Sequence, residues 1–487
     1  MIRGVYRQCL WVGLGVSVAL FVVFKQLYPH PNMVMDSYVY LRAAVLDMRV
    51  NSFPIGYSKF LQFLIYLRCN GNAVVWIQFL MLDVACLLLL YTVCYFFQPS
   101  MLVSILLFLF LFCNPLVFFM SNFIMSDTLF TALSLIWVVQ LIWIIDQPKQ
   151  YMIWSHALLL VLVFTVRYNA LYYPVVSLIA FLFSRLRLLD KIIGIFTPLL
   201  LIGLFVLYTQ AEIKKLSGVS QFSPFGGWQL ANNALYMYGH VYQLGSEDLK
   251  GELDMVDVAV RRFFDSTHRV ESMLDYNALG PGFYYSSVDN SPLFEYMHRK
   301  YGPDTVFQDF RKWGPTGALF SQYGLALIKA HPLAFSKYFV WPNAIRYFYP
   351  PTEIFERLSP FFLREDEFGK MAERAIGVKT LMVSEDLIRL RNRIVSVYPA
   401  LFMLLNIFFI LAVLGFFLVG QPEKLERSKL QIVWIITILW LCNFLFSITA
   451  SCIVLRYQVL IMLVEFSFGL VLVDYLYNPS ETKSTIG

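Results

Sequence analysis

Long apolar runs alternate with short polar turns over the first two hundred residues of this 487-residue chain. A mixed polar block follows, and long apolar runs return near the end. A helix of about twenty apolar residues crosses the hydrocarbon core of a bilayer. Runs of that kind fall at roughly 8–27, 73–97, 101–119, 127–145, 152–168, 171–184, 192–209, 396–419, 430–450 and 457–477. The pattern predicts about ten spanning helices (roughly nine to twelve), the sixth run being short for a span.

The polar block, about 210–395, intersperses acids, bases and aromatics around "FGGW", "GPGFYY" and "KYGPD", and predicts an ordered, helix-rich lobe rather than a linker. Its stretch "LIKAHPLAFSKYFVWPNAIRYFYPP" (327–351) predicts one or two amphipathic helices at the depth of an aromatic and basic interfacial belt. A second long connection, 28–72, ends in "FPIGYSKFLQFLIYL", apolar yet too short to span, which predicts a helix lying along the interface. The expected organisation is thus three parts. An N-terminal transmembrane module covers 1–209 with its long loop at 28–72; the lobe covers 210–395 with interfacial helices near 325–350; a C-terminal transmembrane module covers 396–487.

Orientation follows from the excess of Lys and Arg in cytoplasmic loops. Placing Arg3 and Arg7 in the cytoplasm also puts the two most basic short turns there: Arg185, Arg187 and Lys191, then Lys424, Arg427 and Lys429. Both termini are then cytoplasmic, and the loop 28–72, the turn "NPLVFFMSNFIMSD" and the lobe share the outer face.

Composition agrees with the pattern: 59% hydrophobic and only 14% charged, against roughly a quarter charged in soluble domains. The net charge of +6 is read as orientation charge, and no basic stripe with interleaved aromatics points to nucleic acid. The seven cysteines lie mostly inside apolar runs, without metal-ligand spacing; a Cys69–Cys452 disulfide is not expected. The histidines show no ligand spacing, and neither a P-loop nor a GxSxG elbow is present. The first run lacks a small-residue cleavage site and reads as a retained helix.

Charged groups at membrane spans are costly, so each is a functional candidate. Asp36, in "VMDSYVYLRA", reads either as a helix cap or as a general base whose partial desolvation raises its pKa toward working pH. Tyr38 and Tyr40 flank it as candidate substrate contacts. Asp127, in "SDTLFTAL", is expected to cap its helix and, by topology, to lie level with Asp36, where the two carboxylates could share a catalytic or divalent-cation role. Arg167 with Tyr168, and Arg456 with Tyr457, form two Arg-Tyr pairs at the outer ends of spans. They read as interfacial anchors or as bidentate phosphate ligands. Lys59, Lys337 and Arg346 are further candidates for phosphate, and Trp228, Asn232, Asn233 and Tyr236 for sugar or for the lobe's core.

These residues, in this order, resemble the integral-membrane glycosyltransferases of the GT-C superfamily. The likeness is to the branch that uses polyprenyl-phosphate sugars, with the protein O-mannosyltransferases and the lipid A aminoarabinose transferases. "MDSYVYLRAA", "SDTLFTALSLIW", "TVRYNALYYP", "LIKAHPLAFSKYFVWPN" and "LRYQVLIMLVEFSF" carry the resemblance, which covers roughly 1–210 and 325–477. It implies an all-α polytopic membrane fold with an α-rich outer-face lobe, and sugar transfer to a protein, lipid or glycan acceptor with inversion. Asp36 would be the catalytic base, Asp127 the second acid, and Arg167 and Arg456 the donor-phosphate ligands. It also implies membrane lipids and a polyprenyl-phosphate donor as partners, and a bacterial inner membrane with the site on its periplasmic side. Many members carry two adjacent acids in the first loop; here Ser37 follows Asp36, which leaves a divalent cation on Asp36 and Asp127 an open question. The alternative is a multi-pass transporter or flippase for a lipid-linked or small solute.

Overall fold

The computed structural model describes residues 2–244, 249–267, 285, 291–303, 309–355, 367–378, 384–420, 422 and 425–477. Among these residues the fold is all-helical, with one isolated bridge between Asn32 and Phe123 as its only strand-like pairing.

The first long helix, α1 (Ile2–Leu27), leads into the short helices α2 (Met35–Val45) and α3 (Ile55–Tyr66). Then come α4 (Gly71–Phe97), α5 (Met101–Phe112), α6 (Pro115–Ser121), α7 (Ser126–Asp146), α8 (Tyr151–Val166), a 3-10 turn (Tyr168–Tyr172), α9 (Tyr173–Phe183) and α10 (Leu188–Ser217). The run expected at 101–119 is interrupted where Asn114 and Pro115 restart the helix, the Asn114 side chain accepting the Leu116 N–H at 3.1 Å. The run expected to stop at 209 continues to Ser217 and ends at Gly218, whose φ of 78° is the left-handed C-terminal cap that glycine adopts without strain. The lobe therefore begins nearer 218 than 210. It holds α11 (Pro224–Tyr238), α12 (Glu252–Thr267), α13 (Pro292–Tyr301) and α14 (Phe310–Ala330). The predicted amphipathic pair follows as α15 (Pro332–Phe335), a π turn (Ser336–Val340) and α16 (Trp341–Phe348). After α17 (Glu367–Ile376) and α18 (Glu385–Val395), the chain returns to the bundle as α19 (Tyr398–Leu418), α20 (Arg427–Ala450) and α21 (Val459–Tyr477).

Seven helical segments among the described residues are long and apolar enough to cross a membrane. Three of the ten expected spans are shorter apolar helices: Val12–Leu27, Tyr151–Val166 and Tyr168–Phe183. The bundle centres on α7, whose apolar core residues Leu135, Trp137, Leu141 and Ile142 are fully buried; Trp137 stacks on Tyr173 at 4.0 Å. At the periphery α10 turns Phe196, Leu200 and Leu207 outward, each more than half exposed. A contiguous apolar exterior of that kind suits hydrocarbon, not water. The protein is a polytopic all-α membrane protein.

The lobe has its own core, built where Trp228 stacks on Trp313 at 4.3 Å and meets the edge of Phe320. α11 and α14 pack backbone to backbone: a Cβ on Gly227 would stand 1.8 Å from the Gly317 carbonyl oxygen, and one on Gly317 would stand 2.5 Å from that of Pro224. The lobe docks by capping a bundle helix. The last carbonyls of a helix lack intrahelical donors; here Gln229 and Asn233 donate to the Ala450 carbonyl at 2.9 and 3.1 Å. Asn343 donates to those of Ile448 and Ser451 at 3.2 and 3.0 Å. Cys69 and Cys452 are not joined in a disulfide.

Candidate active site

Two connections at the lobe end of the bundle are stitched into one platform. The Asn32 N–H donates to the Asn122 carbonyl at 2.7 Å and the Ile124 N–H returns to Asn32 at 2.9 Å. The Asn122 side chain donates to the His30 carbonyl and accepts from Lys25, while Gln78 donates to both Ser121 and Phe123 carbonyls and accepts from the Tyr57 hydroxyl at 3.1 Å. Buried backbone polar groups need such partners, and here their satisfaction fixes the start of α2 against the start of α7. A third element joins through α3: Gly56 approaches the Thr165 backbone so closely that a Cβ would lie 2.6 Å from it. That contact sets the end of α8, where Arg167 sits.

Neither acid is a helix cap. The cap position of α2 is Val34, and the Ser37 hydroxyl accepts the Val34 N–H at 3.0 Å, so Ser37 completes the turn and leaves Asp36 free. The cap position of α7 is Met125 and no side chain caps it. Asp127, in the first turn of α7, faces the positive helix end and gives its carboxylate to arginines.

Arg456 organises the site. Its Nη1 lies 3.6 Å from Asp36 Oδ2 and 3.4 Å from Asp127 Oδ2, and its Nε lies 3.1 Å from Glu353 Oε2. Arg167 pairs with the other oxygen of Asp127. The two guanidinium groups share the Tyr457 ring, at 4.6 Å for Arg167 and 4.8 Å for Arg456, and Arg167 also faces Phe130. The Tyr40 hydroxyl meets Ser126 Oγ at 3.1 Å beside them. Asp36, Asp127, Arg167, Arg456, Tyr457 and Tyr40 thus lie in one cluster.

Exposure separates the two acids. The Asp127 side chain is 4% exposed and enclosed by both arginines, whereas Asp36 keeps 35% of its side-chain surface open. Asp36 is therefore the more open of the two acids, and Asp127 is the buried counter-charge of both arginines. Burial pushes the Asp36 carboxyl above the ordinary carboxylate range; Arg456 opposes the shift and Asp127 adds to it. Burial raises Glu353 likewise, against Arg456 and with Asp36. Burial also raises the Tyr40 phenol. Three acids against two arginines leave the cluster with one excess negative charge when all are ionised.

Glu353 is the member that sequence reading missed. It sits in a 3-10 turn, Glu353–Phe355, held to the segment before α21 by the Leu455 N–H on the Pro351 carbonyl at 2.9 Å, and to the segment before α7 by buried Phe355 against Phe123. Its φ of 48° is left-handed, a conformation that costs a non-glycine residue of order 1–3 kcal/mol and clusters at functional sites. The one legible hint was an acid just after the Pro-Pro that ends the amphipathic pair.

Other candidates lie elsewhere. Lys59 pairs with Asp47 and Gln62, at 2.8 and 2.9 Å, rather than with the arginine cluster. Trp228 is wholly inside the lobe core, where protein rings take the contacts a sugar would need. Asn232 is buried and accepts the Tyr285 N–H at 3.0 Å; Tyr236 packs on Tyr285. Tyr168 packs on Phe222 at 4.5 Å, Tyr38 is buried on α2, Arg346 is buried on α16, and Lys337 lies over the ring of Tyr338.

Among the described residues no three or more His, Cys, Asp or Glu side chains form a metal-binding group. The counter-charge between Asp36 and Asp127 is the Arg456 guanidinium. Chemically, the arrangement offers a reachable carboxylate of raised basicity beside a pair of oriented guanidinium groups, at the end of an apolar bundle. Comparison with protein families, with curated proteins and with solved structures finds no match for this chain.

Proposed function

We propose that this protein is a membrane glycosyltransferase that moves a sugar from a polyprenyl-phosphate donor to an acceptor at the outer face of the membrane. The observation that supports this reading best is the gathering of Asp36, Asp127 and Glu353 around Arg456, with Arg167 alongside, at one end of an apolar bundle. Asp36 takes the proton of an acceptor hydroxyl or amine as that atom attacks the anomeric carbon. The bond from that carbon to the phosphate oxygen breaks, the polyprenyl phosphate leaves with the electron pair, and the configuration inverts. Arg167 and Arg456 stabilise the charge that grows on the departing phosphate. The polyprenyl chain lies among the apolar helices, and an already activated donor requires no nucleotide fold. In this reading the termini are cytoplasmic and the lobe is periplasmic in a bacterial inner membrane.

The test is glycan mass spectrometry of a strain lacking the protein and complemented with wild type or Asp36→Asn. The variant is expected to insert and fold, and to transfer no sugar. Full transfer by the variant overturns the base role.

A second reading, a proton-coupled transporter or flippase, draws on Glu465. This carboxylate lies within α21, fully buried, with neither oxygen hydrogen-bonded, and intramembrane acids of that kind mark ion or proton pathways. Solute uptake abolished by Glu465→Gln, with glycans unchanged in Asp36→Asn, selects it.

A further inference from the structure

The most unusual bond in the cluster is the one from Glu353 to Arg456. Asp36 and Asp127 approach Arg456 from α2 and α7, elements stitched together by the backbone bonds around Asn32 and Gln78. Glu353 instead comes from a short turn in a left-handed backbone conformation, and takes Nε, the edge of the guanidinium that the other acids leave free. A guanidinium presents Nε and a terminal nitrogen together as a fork for two oxygens of one carboxylate or phosphate. Glu353 fills half of that fork with a single oxygen. It also supplies the third negative charge against two positive ones, so an anionic ligand entering the cluster meets a net negative field while Glu353 is in place.

We infer that Glu353 is a placeholder for a phosphate group: it holds Arg456 in the resting protein and gives up Nε when a polyprenyl phosphate arrives. This rests on the phosphate-handling part of the proposed function and adds a residue and a step to it. Asp36 and Asp127 occupy Nη1, but a buried Nε left without an acceptor is costly, so the resting protein needs one there. An anion that must leave lowers the apparent affinity for the incoming phosphate by the fraction of time Arg456 is unoccupied. The strained turn suits such an exchange, because its release recovers part of what displacement costs. Asp127, enclosed by both arginines, cannot play this part; Glu353, with 20% of its side chain exposed, has a path outward.

The experiment is equilibrium binding of a polyprenyl monophosphate, with the matching polyprenol as neutral control, to the full-length protein in lipid nanodiscs. Wild type is expected to bind the monophosphate more tightly than the polyprenol. Glu353→Gln, which keeps the shape and removes the charge, is expected to bind the monophosphate about tenfold more tightly than wild type and the polyprenol unchanged. Glu353→Asp, whose shorter carboxylate reaches Nε poorly, is expected to fall between the two, and decides the question if the glutamine variant does not fold. Equal or weaker monophosphate binding by these variants, with wild type binding normally, overturns the placeholder and leaves the proposed function standing. Wild type that does not distinguish monophosphate from polyprenol removes the phosphate site and the placeholder with it.

Discussion

Asp36 and Asp127 are joined through one atom: Arg456 Nη1 stands 3.6 Å from the first carboxylate and 3.4 Å from the second. Ninety-one positions apart in sequence and on different helices, the two acids share a counter-charge that comes from the turn just before the last bundle helix. That relationship makes the cluster a unit, and removing its members one at a time should have unequal effects.

Arg456→Ala leaves Asp127 and Glu353 partly buried without their shared partner. Breaking a buried pair from one side costs about 3–5 kcal/mol. A large fall in melting temperature of the detergent-solubilised protein is expected, with Arg456→Lys intermediate because it keeps the charge but loses the planar fork.

Asp127→Asn and Asp36→Asn should separate stability from activity. Asp127 is enclosed by two arginines, so its amide variant is expected to melt markedly lower than wild type. The net environment of Asp36 disfavours its ionised form, so its amide variant is expected to melt no lower at neutral pH. Its sugar transfer, however, should fall by roughly 10²–10⁴, the usual worth of a general base. Melting curves and initial rates on the same preparations check both.

The pH dependences of rate and stability should slope in opposite directions. Asp36 and Glu353 have folded pKa values raised above their unfolded ones. Their contribution to stability is fully present below the unfolded carboxylate pKa and is lost as pH rises through the raised folded values. On the proposed base role, transfer needs ionised Asp36 and therefore rises with pH over that same interval, so the acid limb of kcat/KM should lie above the ordinary carboxylate range. The three acids titrate as a coupled set, so the limb belongs to the cluster. Melting and rate profiles of wild type and Glu353→Gln between mildly acidic and neutral pH test this: the glutamine variant should flatten the stability slope.

Gly317→Val should loosen the lobe without touching the cluster. The nearest atom to a Cβ there is a backbone oxygen at 2.5 Å, which cannot swing away as a side chain would. Limited proteolysis should cut the lobe of this variant faster than that of wild type, while a Gly218→Asn control, in open space at positive φ, should resemble wild type.

Much of this architecture was legible because apolar length is a direct physical constraint in a bilayer. The run boundaries at 73–97, 127–145 and 430–450 fall within a few residues of α4, α7 and α20. The arginine and acid cluster was legible because a chain this apolar carries few charges, and those at span ends stand out. Glu353 was not, since its selection depends on a left-handed turn and on the Pro351–Leu455 hydrogen bond, neither of which has a local sequence signature. The amides near Trp228 misled for a related reason. Asn233 has the chemistry of a sugar ligand, but with Gln229 it serves as a donor to a distant helix end, and nothing near residue 230 announces the terminus at Ala450. Similarly, Ser37 looked like a missing second acid and is the residue that closes the first turn of α2.

The most direct test of the central claim is a single-turnover assay of the purified protein in nanodiscs with a polyprenyl-phosphate sugar and an acceptor. It measures the release of polyprenyl phosphate and the anomeric configuration of the product. The account predicts stoichiometric release with inverted product from wild type and release slowed by roughly 10²–10⁴ in Asp36→Asn, although the variant binds the donor as wild type does. Wild-type rates from Asp36→Asn, or a product of retained configuration, would contradict it.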